Sequence, residues 1–334
     1  MPPCTTPLIV LTLAVLLSAC RQVNPPPPAA LPSAPAAGTP LPARVASLTR
    51  EPIPDTPESP SLTSTPGASS TPDATPVPSL TVTPAATSLP VSLSLDPADW
   101  HHWPVIPIVP EFARQVYLVG QSLGNDPHAF SVFGDCQSEP KVFMGQYETN
   151  SRAVMLLPLN LQETVAWFSG SFNRPSPTVR GGTSTGALLW TYWHQNRYTC
   201  TEYETPLQCE LRIHKPSFVI IHVGTHYENR NEGYMRSILD QLIAEGVVPI
   251  LSSKADDREL DEHVNAQYTR LAVEYNLPFW NFWAAVDGLR NRGLYTRSDA
   301  AYQGDLYLTE DAAAIHRLSA LQLLDIVRRA VISP

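Results

Sequence analysis

Positive charge is scarce in this chain. Its 334 residues hold 22 Lys and Arg against 31 Asp and Glu, a formal net charge of −9 at pH 7, and the cations do not cluster. Without a basic patch several phosphates cannot be neutralised together, which excludes nucleic acids and other polyanions as partners. The acidity reads as a solvated surface. Long apolar runs are lacking as well. Residues 8–19 (LIVLTLAVLLSA) form an uninterrupted apolar or small stretch too short for a membrane-spanning helix but of the length of a signal-peptide core. Cysteine is sparse, with five in all, and most of the 35 prolines lie before Trp100, which leaves the remainder of the chain free to build regular elements.

Leu17-Ser18-Ala19-Cys20 closes the apolar run and resembles the bacterial lipobox, which implies cleavage before Cys20 and diacylglyceryl attachment to its sulfur. The expectation is an exported lipoprotein, anchored to a membrane through Cys20 and facing the cell exterior or periplasm. Three segments follow. Residues 1–19 are the signal peptide, 20–104 the lipidated cysteine and a disordered Pro, Ala, Ser and Thr-rich linker, and 105–334 a single folded domain. The linker is a tether that in polyproline II would reach at most on the order of 200 Å. Trp100-His101-His102-Trp103-Pro104 marks its end, where the histidines read as aromatic packing and not as a metal site. Cys200 and Cys209 flank the turn-prone TEYETPLQ and are expected to pair in an oxidising compartment, leaving Cys136 unpaired.

Within the domain, apolar runs alternate with helical patterns. Strands are predicted at 129–134, 218–223 (FVIIHV), 247–251 (VVPIL) and 278–282, and helices within 233–245, 257–275 and 309–331. This order implies an α/β fold with a parallel sheet covered by helices on both faces. Ligands bind such sheets beyond the carboxyl ends of the strands. Asp135, Cys136, Thr225, His226, Tyr227, Lys254, Asp256 and Asn281 all fall just past predicted strand ends and should share one rim.

Four blocks in order carry a family resemblance: Phe133-Gly134-Asp135-Cys136, Arg180-Gly181-Gly182-Thr183-Ser184-Thr185-Gly186, Gly224-Thr225-His226-Tyr227, and Gly304-Asp305-Leu306-Tyr307-Leu308-Thr309. Together they resemble the blocks of the SGNH or GDSL hydrolases. The resemblance implies a three-layer α/β/α sandwich with a mostly parallel sheet in flavodoxin-like order, and an ester hydrolase activity without cofactor or metal. In that family a Ser attacks the ester, Gly and Asn donate to the oxyanion, and a His oriented by Asp is the base. The matching positions here read Cys136, Gly181 or Gly182, His226, and Tyr307, with Gly304 where the Asp would stand and Asp305 one step away.

Loss of a catalytic His costs a serine hydrolase about 10⁶ in turnover, and a phenol with pKa near 10 does not replace it unaided. A thiol offsets part of this if it ionises. The sequence therefore leaves two functions open. One is an ester hydrolase with Cys136 as nucleophile, acting on a small-molecule or polysaccharide ester. The other is a catalytically degenerate domain that binds a cell-surface glycan or peptide. A redox role for the unpaired Cys136 is a third expectation. His222 reads as a core residue, His316 as a helix residue that pairs or caps, and Lys254 with Asp256 as a local salt bridge.

Overall fold

The computed structural model describes residues 95–195, 197–298 and 304–332. The expected signal peptide, the expected lipidation site at Cys20 and the expected tether up to residue 94 lie outside the described residues. Among the described residues no helix is long and apolar enough to cross a membrane.

Four parallel strands form the centre: β1 (Asp126–Gly134), β2 (Pro216–His222), β3 (Val248–Ser252) and β4 (Phe279–Trp280), side by side in chain order. Register pairs Phe130 with Phe218, Phe218 with Val248, and Leu251 with Phe279. On the free edge of β1, Gly134 forms a single parallel bridge with Val179. The sheet is thus four parallel strands in chain order, with that one bridge beyond β1 where a flavodoxin-like order would place its second strand.

All seven residues of β2 are buried, as a strand covered on both faces requires. Their alternation divides the core in two. Phe218 and Ile220 face one cluster with Tyr117, Phe168, Trp280 and Leu324; Val219 and Ile221 face another with Leu207, Ile238, Leu239 and Tyr268. The first face is covered by α1 (Glu111–Leu123), α2 (Leu159–Trp167) and the long C-terminal α6 (Glu310–Ile332). The second is covered by α3 (Pro206–His214), α4 (Glu232–Ala244) and α5 (His263–Glu274). The result is a three-layer α/β/α sandwich.

Local chemistry sets the helix ends. Gly124, at φ 85°, stops α1 in the left-handed conformation. Thr205 and Gln208 form a capping box that starts α3. In α5 the helix begins six residues later than its pattern predicts, because Leu260 (φ 67°) and Glu262 (φ 48°) are left-handed and break any helix through them. Acidic side chains then satisfy the exposed amides: Asp261 accepts from His263 N, and Glu259 from Val264 N. Cys200 and Cys209 are joined by a disulfide with Cα atoms 5.3 Å apart, which staples the loop before α3 to that helix.

The described fold takes in residues 95–104, which the sequence reading gave to the tether. A 3-10 helix, Pro97–His102, is capped by Asp96, and Trp100 and Trp103 are buried in the second core. His101 stacks on Trp100 and reaches Glu262 at 2.8 Å, so its surroundings are aromatic and acidic.

Candidate functional site

The nucleophile-like turn follows directly from β1. Asp135 caps a single 3-10 turn, Cys136–Ser138, accepting the Gln137 amide at 3.1 Å, while Gln137 Nε2 donates to Leu306 O at 2.7 Å. That second bond fastens the turn to the segment carrying Tyr307, itself held by pairing of 293–295 with 305–309 (Tyr295 N to Tyr307 O, 2.9 Å; Thr309 N to Gly293 O, 2.7 Å). As a consequence Tyr307 comes near enough to the Cys136 thiol for each group to act on the other's titration. Gly181 is brought in from the other side. A β-carbon on it would stand 3.7 Å from Cys136 Cβ. Gly182, at φ 91°, turns the loop away and faces Trp193, which stacks under the Arg180 guanidinium.

The structure thus brings Cys136, Gly181 and Tyr307 together and leaves His226 out. The His226 ring lines a neighbouring cavity with Tyr227 and Arg258, and no hydrogen bond joins it to Cys136 among the described residues. The physical reason is local: Asn229 binds the His226 carbonyl through both its amide N–H (3.0 Å) and Nδ2 (2.8 Å), winding 226–229 into a turn that ends the strand direction.

Glu139, which the sequence reading missed, completes the notch. Its Oε1 accepts the Gly181 amide at 3.1 Å and its Oε2 binds Lys141 Nζ at 2.7 Å. A carboxylate so placed occupies the donor that an oxyanion would use.

Electrostatics follow from these neighbours. Burial pushes the Cys136 thiol up to about 11, and the Asp135 and Glu139 carboxylates add to the rise against the opposing Tyr307 contact. Tyr307 is also raised, first by its contact with Cys136. Asp135 is 3% exposed and burial lifts it to about 6, against the Gln137 amide bond.

Below the notch lies a buried charged chain. Thr225 Oγ1 donates to Asp256 Oδ2 (3.0 Å), and Lys254 Nζ donates to Asp256 O (2.8 Å), Asp256 Oδ1 (2.9 Å) and Glu259 Oε2 (2.6 Å). The expected local pair of Lys254 with Asp256 is present and buried. Gly224 is required here, since a β-carbon would fall 2.5 Å from Lys254 Cδ. A cavity of about 20 Å³ between Asp135, Thr225, Lys254 and Leu306 has room for about one water.

Two further rim expectations are corrected. Asn281 is fully buried: it caps the short helix Phe282–Val286, accepts from Ser253 Oγ at 2.9 Å, and donates to Trp100 O and Trp103 O. With β4 only two residues long, the chain turns into that helix before it reaches the rim. Asp305, left-handed at φ 62°, is exposed and bound by Arg297 at 3.1 Å, so it orients nothing at the thiol.

His222 and His316 lie deeper. His316 Nε2 is 3.1 Å from His222 Nε2, and His222 Nδ1 is 2.7 Å from Ser252 Oγ. Ser252 gives its own proton to Ile221 O, so His222 must donate through Nδ1 and accept through Nε2, which makes His316 the donor of the pair. Both rings are packed among Phe282 and Trp280, with Phe143 stacked on His316. Neither serves Cys136. Among the described residues no group of three or more His, Cys, Asp or Glu side chains is placed to hold a metal ion.

No protein-family model matches the chain, and no curated protein matches it. Among solved structures it is similar to a GDSL-like lipase from Bacteroides thetaiotaomicron, with 15% identity, a TM-score of 0.37, and coverage of 64% of this chain and 97% of that chain.

Proposed function

We propose that this chain is a surface lipoprotein whose folded domain, of the SGNH type, binds a cell-surface glycan or peptide without turning it over. The observation that carries this reading is the set of neighbours that act on Cys136: a phenol and two carboxylates, with no imidazole among the described residues. A thiol raised to about 11 is almost entirely protonated at neutral pH and therefore a poor nucleophile. Tyr307 is raised too and removes no proton there. An ester carbonyl approaching the sulfur would develop negative charge next to Glu139, whose carboxylate already holds the Gly181 amide. What remains of a hydrolase is its cleft. Cys20, lipidated, and the proline-rich tether would hold that cleft away from the membrane.

The test pairs an activity with a binding measurement. Wild type and Cys136→Ser are both expected to hydrolyse a small activated acetyl ester at the buffer rate, while a thermal-shift screen of cell-wall glycans and peptides finds a stabilising ligand. Ester hydrolysis that disappears in Cys136→Ala would instead establish the thiol as a nucleophile and overturn the reading.

A further inference from the structure

Beside the notch lies a second cavity that shares Gly224 and Thr225 with the small water-sized space. It has about 310 Å³, at the low end of the range for small-molecule sites, and its walls include His226, Tyr227, Glu228, Arg230, Arg258 and Glu259.

The charges of this cavity fall into two kinds. Arg230 is committed to Asp261 through two bonds of 2.8 Å, and Glu259 is committed to Lys254 Nζ and to the Val264 amide. Arg258 and Glu228 are not committed: neither side chain has an ion-pair or hydrogen-bond partner among the described residues, and they do not bridge each other. Both lie near enough to the His226 ring to act on it in opposite senses. Tyr227, 79% exposed, stands at the same opening with the Arg230 guanidinium 5.7 Å from its ring centre. Because Arg230 is itself held by Asp261, that ring has a fixed neighbour and a free face.

Arg258 and Glu228 are both exposed and both line this concavity, and opposite uncommitted charges in one lining discriminate among ligands. An anion alone would gain Arg258 and be repelled by Glu228, a cation alone would meet the reverse, and a neutral sugar would leave both charges to water. A ligand carrying both charges answers both groups. We infer that this cavity is a site for a zwitterion, an α-amino acid or a short peptide with free ends, whose carboxylate meets Arg258, whose ammonium meets Glu228 and whose side chain packs on Tyr227. The inference rests on the binding reading above and narrows its ligand from glycan or peptide to the latter.

Calorimetric titration of the full-length protein tests it, using glycine, alanine, glutamate, phenylalanine and alanylalanine, each also as its N-acetyl and its carboxamide derivative. At least one zwitterion is expected to bind, and blocking either end is expected to weaken it about tenfold or more. Arg258→Gln should erase the preference for a free carboxylate, and Glu228→Gln the preference for a free ammonium, with the circular dichroism spectrum unchanged in both. Blocked derivatives that bind as tightly as their parents overturn the inference, as does failure of every zwitterion to bind. In that last case a neutral oligosaccharide that stabilises the protein leaves the binding reading standing, and absence of any ligand removes both.

Discussion

Glu139 Oε1 accepts the Gly181 amide hydrogen at 3.1 Å, so a backbone donor beside the Cys136 thiol is held by an anion of the protein itself. The same carboxylate helps to keep the thiol protonated, after burial and Asp135. Alkylation of Cys136 by iodoacetamide, followed by mass spectrometry of its peptide, should therefore keep accelerating toward about pH 11 with no plateau near 8.5. Glu139→Gln removes one negative neighbour and should shift the midpoint downward. A wild-type midpoint at or below 8.5 would mean the thiol is activated after all.

Tyr307 and the Cys136 thiol act on each other's titration, so a base placed at position 307 should reach residue 136. If that placement is right, Cys136→Ser alone stays at the buffer rate, and the double change Cys136→Ser with Tyr307→His gains ester hydrolysis. General-base assistance is worth about 10² to 10⁴, and the gain is expected at the low end, because Gly304 supplies no carboxylate to orient the imidazole and Glu139 still holds Gly181 N. Equal rates for the single and double variants would show that position 307 does not face position 136.

Among the described residues Lys254 is the only cation bonded within the buried chain that contains Asp256 and Glu259. Replacing it with Met leaves two carboxylates buried beside Asp135 with nothing to offset them, and should cost about 3 to 5 kcal/mol. Urea denaturation reads this as a lower midpoint at unchanged slope. Replacing Arg297, whose ion pair with Asp305 is exposed, should change stability by less than about 1 kcal/mol.

Much of this architecture was legible in the sequence because it depends on local pattern. FVIIH reads as a strand buried on both faces, and it is one. Cys136 was expected just past the first strand, and it stands in the single turn that follows β1, with Gln137 Nε2 bonded to Leu306 O at 2.7 Å. Long-range hydrogen bonding was not legible. Asn281 followed a strand and so was expected at the rim, but its amide is consumed by the Trp100 and Trp103 carbonyls, 181 and 178 residues earlier in the chain. His226 was expected to replace an Asn donor, and the turn made by Asn229 directs it into the neighbouring cavity. Glu139 carries no pattern of its own, and only its distance to Gly181 reveals it.

The disulfide between Cys200 and Cys209 closes a short loop ahead of α3. In the chain-entropy account a loop of about ten residues contributes roughly 2 to 3 kcal/mol by restricting the unfolded state. The Cys200→Ser, Cys209→Ser variant should lose about that much in urea denaturation, while oxidised wild type and wild type treated with reductant should differ by a similar amount. A loss below about 0.5 kcal/mol would mean the unfolded loop is already constrained without the bridge.

The buried imidazole pair sets the acid limit of the fold. Burial lowers His222 to about 4 from its ordinary 6.5, with Asp256 and Lys254 acting in opposite directions, and burial together with His222 and Arg317 holds His316 well below 6.5. A depressed folded-state value means that the unfolded chain binds protons first as pH falls. The stabilisation is whole above 6.5 and is lost progressively between 6.5 and about 4, by about 3 kcal/mol for His222 alone. Asp135 runs the other way: raised to about 6, it favours the fold when protonated and loses that contribution as pH rises through 6. Comparison with His222→Gln separates the two, since glutamine keeps a donor and an acceptor but does not titrate. Between pH 7 and 4.5 wild type should lose more stability than His222→Gln, and parallel curves would mean that His222 is not the group whose protonation opens the core.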